Sequence, residues 1–197
     1  MKYENLKPKE IAYIAVFGAL WGSLEVTIGM FLHNMNIPFS GLILTLIGAF
    51  IALTCVRLIN RRRAILYTAF IAAILKMLSF TTIKLGPMIG IITAASISQI
   101  TILILNINLI SYIISAGLTA CAPFLQFLVG HSIIYSPKIF NIYQDFLNLL
   151  GHRNLDITTI IIIIVALHFV LGCIIGLCAW QFSTLLIKRI NNYENYS

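Results

Sequence analysis

Residues 158–187, TTIIIIIVALHFVLGCIIGLCAWQFSTLLI, contain no Asp, Glu, Lys or Arg. A helix rises about 1.5 Å per residue and the hydrocarbon of a bilayer is about 30 Å deep, so roughly 20 apolar residues suffice to cross it. Five further apolar runs precede this one: Ile11 to Leu32, Ile37 to Ile59, Ala64 to Ile83, Gly86 to Leu105 and Leu109 to Leu128. The expected fold is all-α, a polytopic membrane protein with six transmembrane helices in a compact bundle, forming one integral membrane domain over residues 1–197. The segments between the runs are too short to fold as a soluble catalytic domain. Function is therefore expected inside the bundle, on its rims or in a partner.

Composition agrees. Hydrophobic residues make up 60% of the chain and charged residues 10%, with a mean hydropathy of +0.98, which leaves too little polar surface for a soluble globule of this length. The net charge of +7 would suggest nucleic acid in a soluble protein, but its distribution points elsewhere. Lys2, Lys7 and Lys9 precede the first span, Arg57, Arg61, Arg62 and Arg63 cluster between the second and third, and Lys188 and Arg189 follow the sixth. With six crossings these places share one side of the membrane and hold nine of the 13 basic residues, against Lys84, Lys138 and Arg153 on the other side. The positive-inside rule then makes both termini cytoplasmic, in a cell membrane. The basic clusters read as topology signals, and no nucleic acid partner is expected.

The first apolar run is too long for a cleavable signal peptide, no A-x-A site follows it, and Glu4 and Glu10 stand among the flanking lysines, so the span is expected to be retained. Cys55, Cys121, Cys173 and Cys178 lie in apolar stretches without C-x-x-C spacing and read as small packing residues.

The loops expected on the outer side are the richer ones. His33, Asn34, Met35 and Asn36 precede Pro38, residues 81–87 include Lys84, and about 28 residues run from Val129 to Asp156. In that last loop Ser136 and Pro137 read as N-cap and N1, and Ile139, Ile142, Tyr143, Phe146, Leu147 and Leu150 make an apolar stripe stopped by Gly151. A short amphipathic helix on the outer rim is expected there, either as a strap over the bundle or as a lid over a cavity. Asp156 reads as the cap of the sixth span.

Two charges interrupt the apolar runs, Glu25 and Lys76. A charge in hydrocarbon costs some kcal/mol and normally faces the bundle interior, where it finds a partner. Counted from the inner ends of their spans, Glu25 lies roughly 22 Å up the first helix and Lys76 roughly 18 Å up the third. Similar depth and opposite sign predict a buried pair, either fixing the helices or lining an outward-facing pocket. Each lies among small residues: Gly22 and Gly29 flank Glu25, and Ala69, Ala72, Ala73 and Ser79 flank Lys76. His33, His131 and His152 fall at the outer rim and His168 inside the sixth span, but no two share a helical face at metal-ligand spacing, so neither metal nor cofactor is expected. The candidate substrate-binding residues are Glu25, Lys76, His33, Asn34, Ser79, Lys84, His131, Tyr143 and His168. Trp21 and Gln126 are further candidates for stacking and hydrogen bonds.

Small residues recur at four-residue spacing: Ala12, Ala15, Gly18, Ala19 and Gly22 in the first span, then Gly86 and Gly90, Ala116 and Ala120, and Gly172 and Gly176. Packing within the bundle accounts for them, as does a partner docked on the first helix.

With about 200 residues, six spans, Ala15-Val-Phe-Gly-Ala19 in the first and Lys84-Leu-Gly-Pro-Met-Ile-Gly-Ile91 opening the fourth, the chain resembles the substrate-binding S components of prokaryotic energy-coupling factor (ECF) transporters. That resemblance implies a binder of a small molecule such as a vitamin or related micronutrient, with a pocket under the outer loops. It implies further that Ala15 and Ala19 contact a transmembrane coupling subunit joined to two cytoplasmic ATPases. An S component hydrolyses nothing itself, and the sequence has no G-x-x-x-x-G-K-[ST] loop. The alternatives are an intramembrane enzyme, a hydrolase or group transferase using Glu25 with a histidine, and a structural or assembly subunit whose polar residues only pack.

Overall fold

The computed structural model describes residues 6–35, 37, 39–78, 85–135 and 157–194, and every regular element among them is an α-helix. The helices are α1 (Pro8–Asn34), α2 (Ser40–Ile59), α3 (Ala64–Met77), α4 (Leu85–Leu105), α5 (Leu109–Tyr135) and α6 (Ile157–Glu194). Five of the six, all but α3, are long and apolar enough to cross a membrane. The architecture is that of an α-helical membrane bundle. Its outer surface is apolar in the manner lipid requires: Phe70, Ile74, Ile104, Ile110, Ile162 and Val170 are each more than half exposed.

Helix ends follow local chemistry. Pro8 opens α1 where its missing N–H costs nothing, and Glu10 Oε2 reaches back to accept the Lys7 backbone N–H at 2.9 Å, half of a capping box. Ile37 is not helical, as the residue before a proline rarely is, so α2 starts at Ser40 rather than at Ile37. α3 ends at Met77 with Leu78 as its C-cap, where the sequence suggested a span reaching Ile83. Fourteen residues rise only about 21 Å. α5 continues to Tyr135 instead of stopping at Leu128: Gly130 alone costs about 1 kcal/mol, and neither it nor the polar His131 and Ser132 that follow ends the helix. α6 likewise runs seven residues past Ile187, to Glu194. The expected amphipathic helix around Tyr143, Asp156 as the expected cap of the sixth span, and Ser79 and Lys84 lie outside the described residues.

α2 is the axis of the bundle. It touches all five other helices, which form an arc in the order α1, α3, α4, α5, α6. Leu53, Cys55 and Val56 at its centre are wholly buried. At the arginine-bearing end, Arg61 Nε meets Glu10 Oε1 at 3.0 Å, tying the start of α1 to the α2–α3 turn. The Gln99 side chain of α4 donates to the Arg62 carbonyl at the same turn. Arg57 lays its guanidinium 3.1 Å from the Trp180 ring centroid, joining α2 to α6. Deeper in, the Tyr112 hydroxyl donates to the Leu53 carbonyl at 2.9 Å, and Ser98 and Ser115 share a 2.6 Å hydrogen bond between α4 and α5.

The glycines set how closely the helices approach. Gly172 and Gly176 of α6 lie against the α5 backbone at Ala116 and Tyr112, so of the α5 pair read from the sequence it is Ala116 that meets a glycine. A Cβ on Gly172 would be driven into the Ala116 carbonyl. Gly172→Leu is therefore expected to lower the thermal midpoint of the detergent-purified protein by the equivalent of about 1–3 kcal/mol or more. Gly86→Ala, whose Cβ would meet nothing within 4 Å, is expected to leave it unchanged. Equal midpoints for the two variants would contradict the α5–α6 packing.

Candidate functional site

The two charges that interrupt the apolar runs meet. Lys76 Nζ lies 3.6 Å from Glu25 Oε2 and donates a 2.5 Å hydrogen bond to the Glu25 main-chain carbonyl. Both residues are buried, at 5% exposure for Glu25 and 2% for Lys76. Lys76 occupies the last turn of α3, where the unpaired carbonyls of a helix end favour a cation. One helical turn before Glu25, Trp21 donates its indole N–H to Glu25 Oε1 at 3.4 Å. The pair thus holds α1 to α3, the helix that α1 also meets through Gly18 and Gly22.

Glycines make room for this arrangement. A Cβ on Gly29 would sit 2.8 Å from Lys76 Nζ, so a side chain there would evict the ammonium from its place beside α1. Gly48 of α2 lies directly under the Trp21 indole, which rests on bare backbone and is held against Glu25.

A cavity of about 410 Å³ opens beside Glu25, at the end of the bundle away from the arginine cluster. Trp21 and Glu25 line it from α1, and Gly41, Leu44 and Thr45 from α2. Gly86, Pro87 and Gly90 form the α4 wall, and Pro123, Gln126 and Phe127 the α5 wall. Lys76 does not line it. Glu25 does, and its partner ammonium 3.6 Å away lies outside the lining, so the charge is compensated by a group that is not part of the wall. Across the cavity Gln126 Nε2 donates to the Gly86 carbonyl at 3.2 Å, with its Oε1 placed over Gly90. Pro123 interrupts the hydrogen-bond ladder of α5 one turn before Gln126.

A second cavity of about 350 Å³ shares Gly41, Pro123 and Phe127 with the first and is lined otherwise by Phe39, Ser40, Leu42, Phe124 and His168. His168, 4% exposed, packs edge-on to Phe39 with centroids 5.8 Å apart, and 5.6 Å from Phe124. Its Nδ1 lies 2.8 Å from the Ile164 carbonyl, which can only accept, so Nδ1 carries the hydrogen. Phe39 reaches this position from a left-handed backbone, φ 60°, unusual for a bulky residue and adopted where the chain turns into α2.

The candidate residues read from sequence therefore divide. Glu25 and His168 line adjoining cavities and Lys76 braces the first. Asn34 ends α1 and is exposed, away from both. His33 and His131 fall in described helix, but their side chains lie outside the description, as do Ser79, Lys84 and Tyr143 altogether. Thr45, Phe127 and the glycine and proline walls of α2, α4 and α5 were not legible as site residues. Gly86 and Gly90 had looked like a packing pair, yet both face the hollow. The small stripe of α1 divides too: Gly18 and Gly22 are buried against α3, whereas Ala12, Ala15 and Ala19 are exposed.

The chain matches no protein-family model, no curated protein and no solved structure.

A buried pair that loses one member leaves an uncompensated charge, at a cost of about 3–5 kcal/mol. Lys76→Met is expected to destabilise the protein by that amount, and Glu25→Gln combined with Lys76→Met to recover much of the loss. Chemical or thermal unfolding of the single and double variants measures the coupling; additive losses would mean that the two side chains act separately.

Proposed function

We propose that this chain is the substrate-binding membrane subunit of an ATP-driven prokaryotic uptake transporter of the energy-coupling factor type, taking up a small molecule such as a vitamin or related micronutrient. The observation that carries this reading is the cavity of about 410 Å³ with Glu25 in its wall, within the size range of small-molecule sites. It lies away from the arginine cluster, the end that the positive-inside rule assigns to the cytoplasm, so it would face the medium from which a nutrient is drawn. The wall supplies one carboxylate, one amide and one hydroxyl in an apolar surround, a pattern suited to orienting a bound solute.

The exposed alanines support the other half of the reading. Ala15 and Ala19 form a smooth face on α1 that the bundle leaves uncovered, onto which a helix of a coupling subunit could pack backbone to backbone. Two cytoplasmic ATPases bound to that subunit would supply the work. Transport would then require the cavity to bind its solute more weakly in the inward state than in the outward one.

Native mass spectrometry of the protein purified from its own host tests this directly. The expected result is one retained small molecule per chain, together with a coupling subunit and an ATPase pair that are lost on Ala15→Trp and Ala19→Trp while the small molecule stays. Substrate turnover by the isolated chain, or purification with neither ligand nor ATPases, would overturn it.

A further inference from the structure

The polar atoms of the Glu25 cavity are unequally used. Trp21 has a single donor and gives it to Glu25 Oε1. The Lys76 ammonium is turned to the Glu25 carbonyl and carboxylate, outside the lining. Gln126 turns its amide nitrogen to the Gly86 carbonyl. What remains toward the hollow is richer in acceptors than in donors: the Glu25 carboxylate, which has about four lone-pair sites for the two partners seen, Gln126 Oε1, which accepts no hydrogen bond among the described residues, and the Thr45 hydroxyl oxygen, against the second Gln126 amide hydrogen and the Thr45 O–H. An acceptor that a ligand covers without bonding costs about 1–3 kcal/mol, so a ligand that brings hydrogens is favoured over one that brings lone pairs.

Charge and shape narrow the class further. The Glu25 and Lys76 pair is neutral as a unit, but its negative member faces the cavity. A carboxylate or phosphate entering would meet Glu25 first, in a medium of low dielectric where like charges repel strongly. Among the wall glycines, Gly41 and Gly90 are covered by Pro123 and Gln126, whereas Gly86 meets nothing within 4 Å of where a Cβ would stand, so a flat ring can lie close against the backbone there.

We propose that the cavity between Glu25 and Gln126 selects a planar, neutral or cationic nitrogen compound bearing N–H donors, such as an amidine, a guanidine or an amino-substituted heterocycle, and rejects anions. This rests on the reading of the cavity as the solute site. It can nevertheless fail alone, because it is measured on the isolated subunit without partners or ATP.

Benzamidine, benzamide and benzoate share one ring and differ only in the planar end group, so ligand-observed NMR with each, on the purified full-length protein in nanodiscs, reads the preference. The expected order is benzamidine over benzamide, with benzoate weaker than either by at least about tenfold, the scale of one charge-assisted hydrogen bond. Gln126→Leu, at a half-buried position outside the ion pair, is expected to weaken benzamidine by about tenfold, and Glu25→Gln by more. If Glu25→Gln does not fold, the Gln126 variant carries the test. Benzoate binding as well as benzamidine, benzamidine binding indifferent to Gln126→Leu, or no binding of any of the three overturns the inference. None of these results bears on whether ATPases co-purify, the observation on which the uptake reading stands or falls.

Discussion

Hydrocarbon solvates neither a charge nor an unpaired polar group, and the structure around Glu25 and Lys76 is arranged about that constraint. The ammonium is held by a carboxylate and a carbonyl of one residue, and the carboxylate is held by the ammonium and an indole. Gly29 gives the ammonium its space and Gly48 gives the indole its bed. Three helices, α1, α2 and α3, are thereby fixed relative to one another around two charges. The cavity beside them inherits a rigid wall.

The same constraint explains how much of the fold was legible. Long apolar runs can be found by inspection, and six of them gave six helices. Glu25 and Lys76 stood out because they break those runs, and counting rise along two helices put them at one level, where they do meet. Helix ends were less legible. α5 and α6 extend well past the apolar stretches that announce them, since a helix continues through polar residues once its packed part is formed, whereas α3 stops at Met77.

The cavity itself was hidden for a different reason. Small-residue spacing marks places where backbones can approach, but it does not say whether another helix or a hollow lies opposite. Gly172 and Gly176 meet α5, Gly86 and Gly90 line the hollow, and the two sets share one spacing. Along α1 the buried glycines and exposed alanines interleave, so sequence marks a smooth helix without assigning its faces. Gln126 was visible as a polar residue in an apolar helix. Its partner, a main-chain carbonyl of α4, has no sequence signature.

The central claim is that a compensated carboxylate forms the wall of a solute site. A high-resolution cryo-EM or crystal structure of the protein purified with its native solute tests it most directly. The expected density lies between the α2 and α4 glycine walls, within hydrogen-bond distance of Glu25 and Gln126, with Lys76 still paired to the carboxylate and outside the lining. A solute bound elsewhere with Glu25 out of reach, or Glu25 and Lys76 found apart, would contradict it.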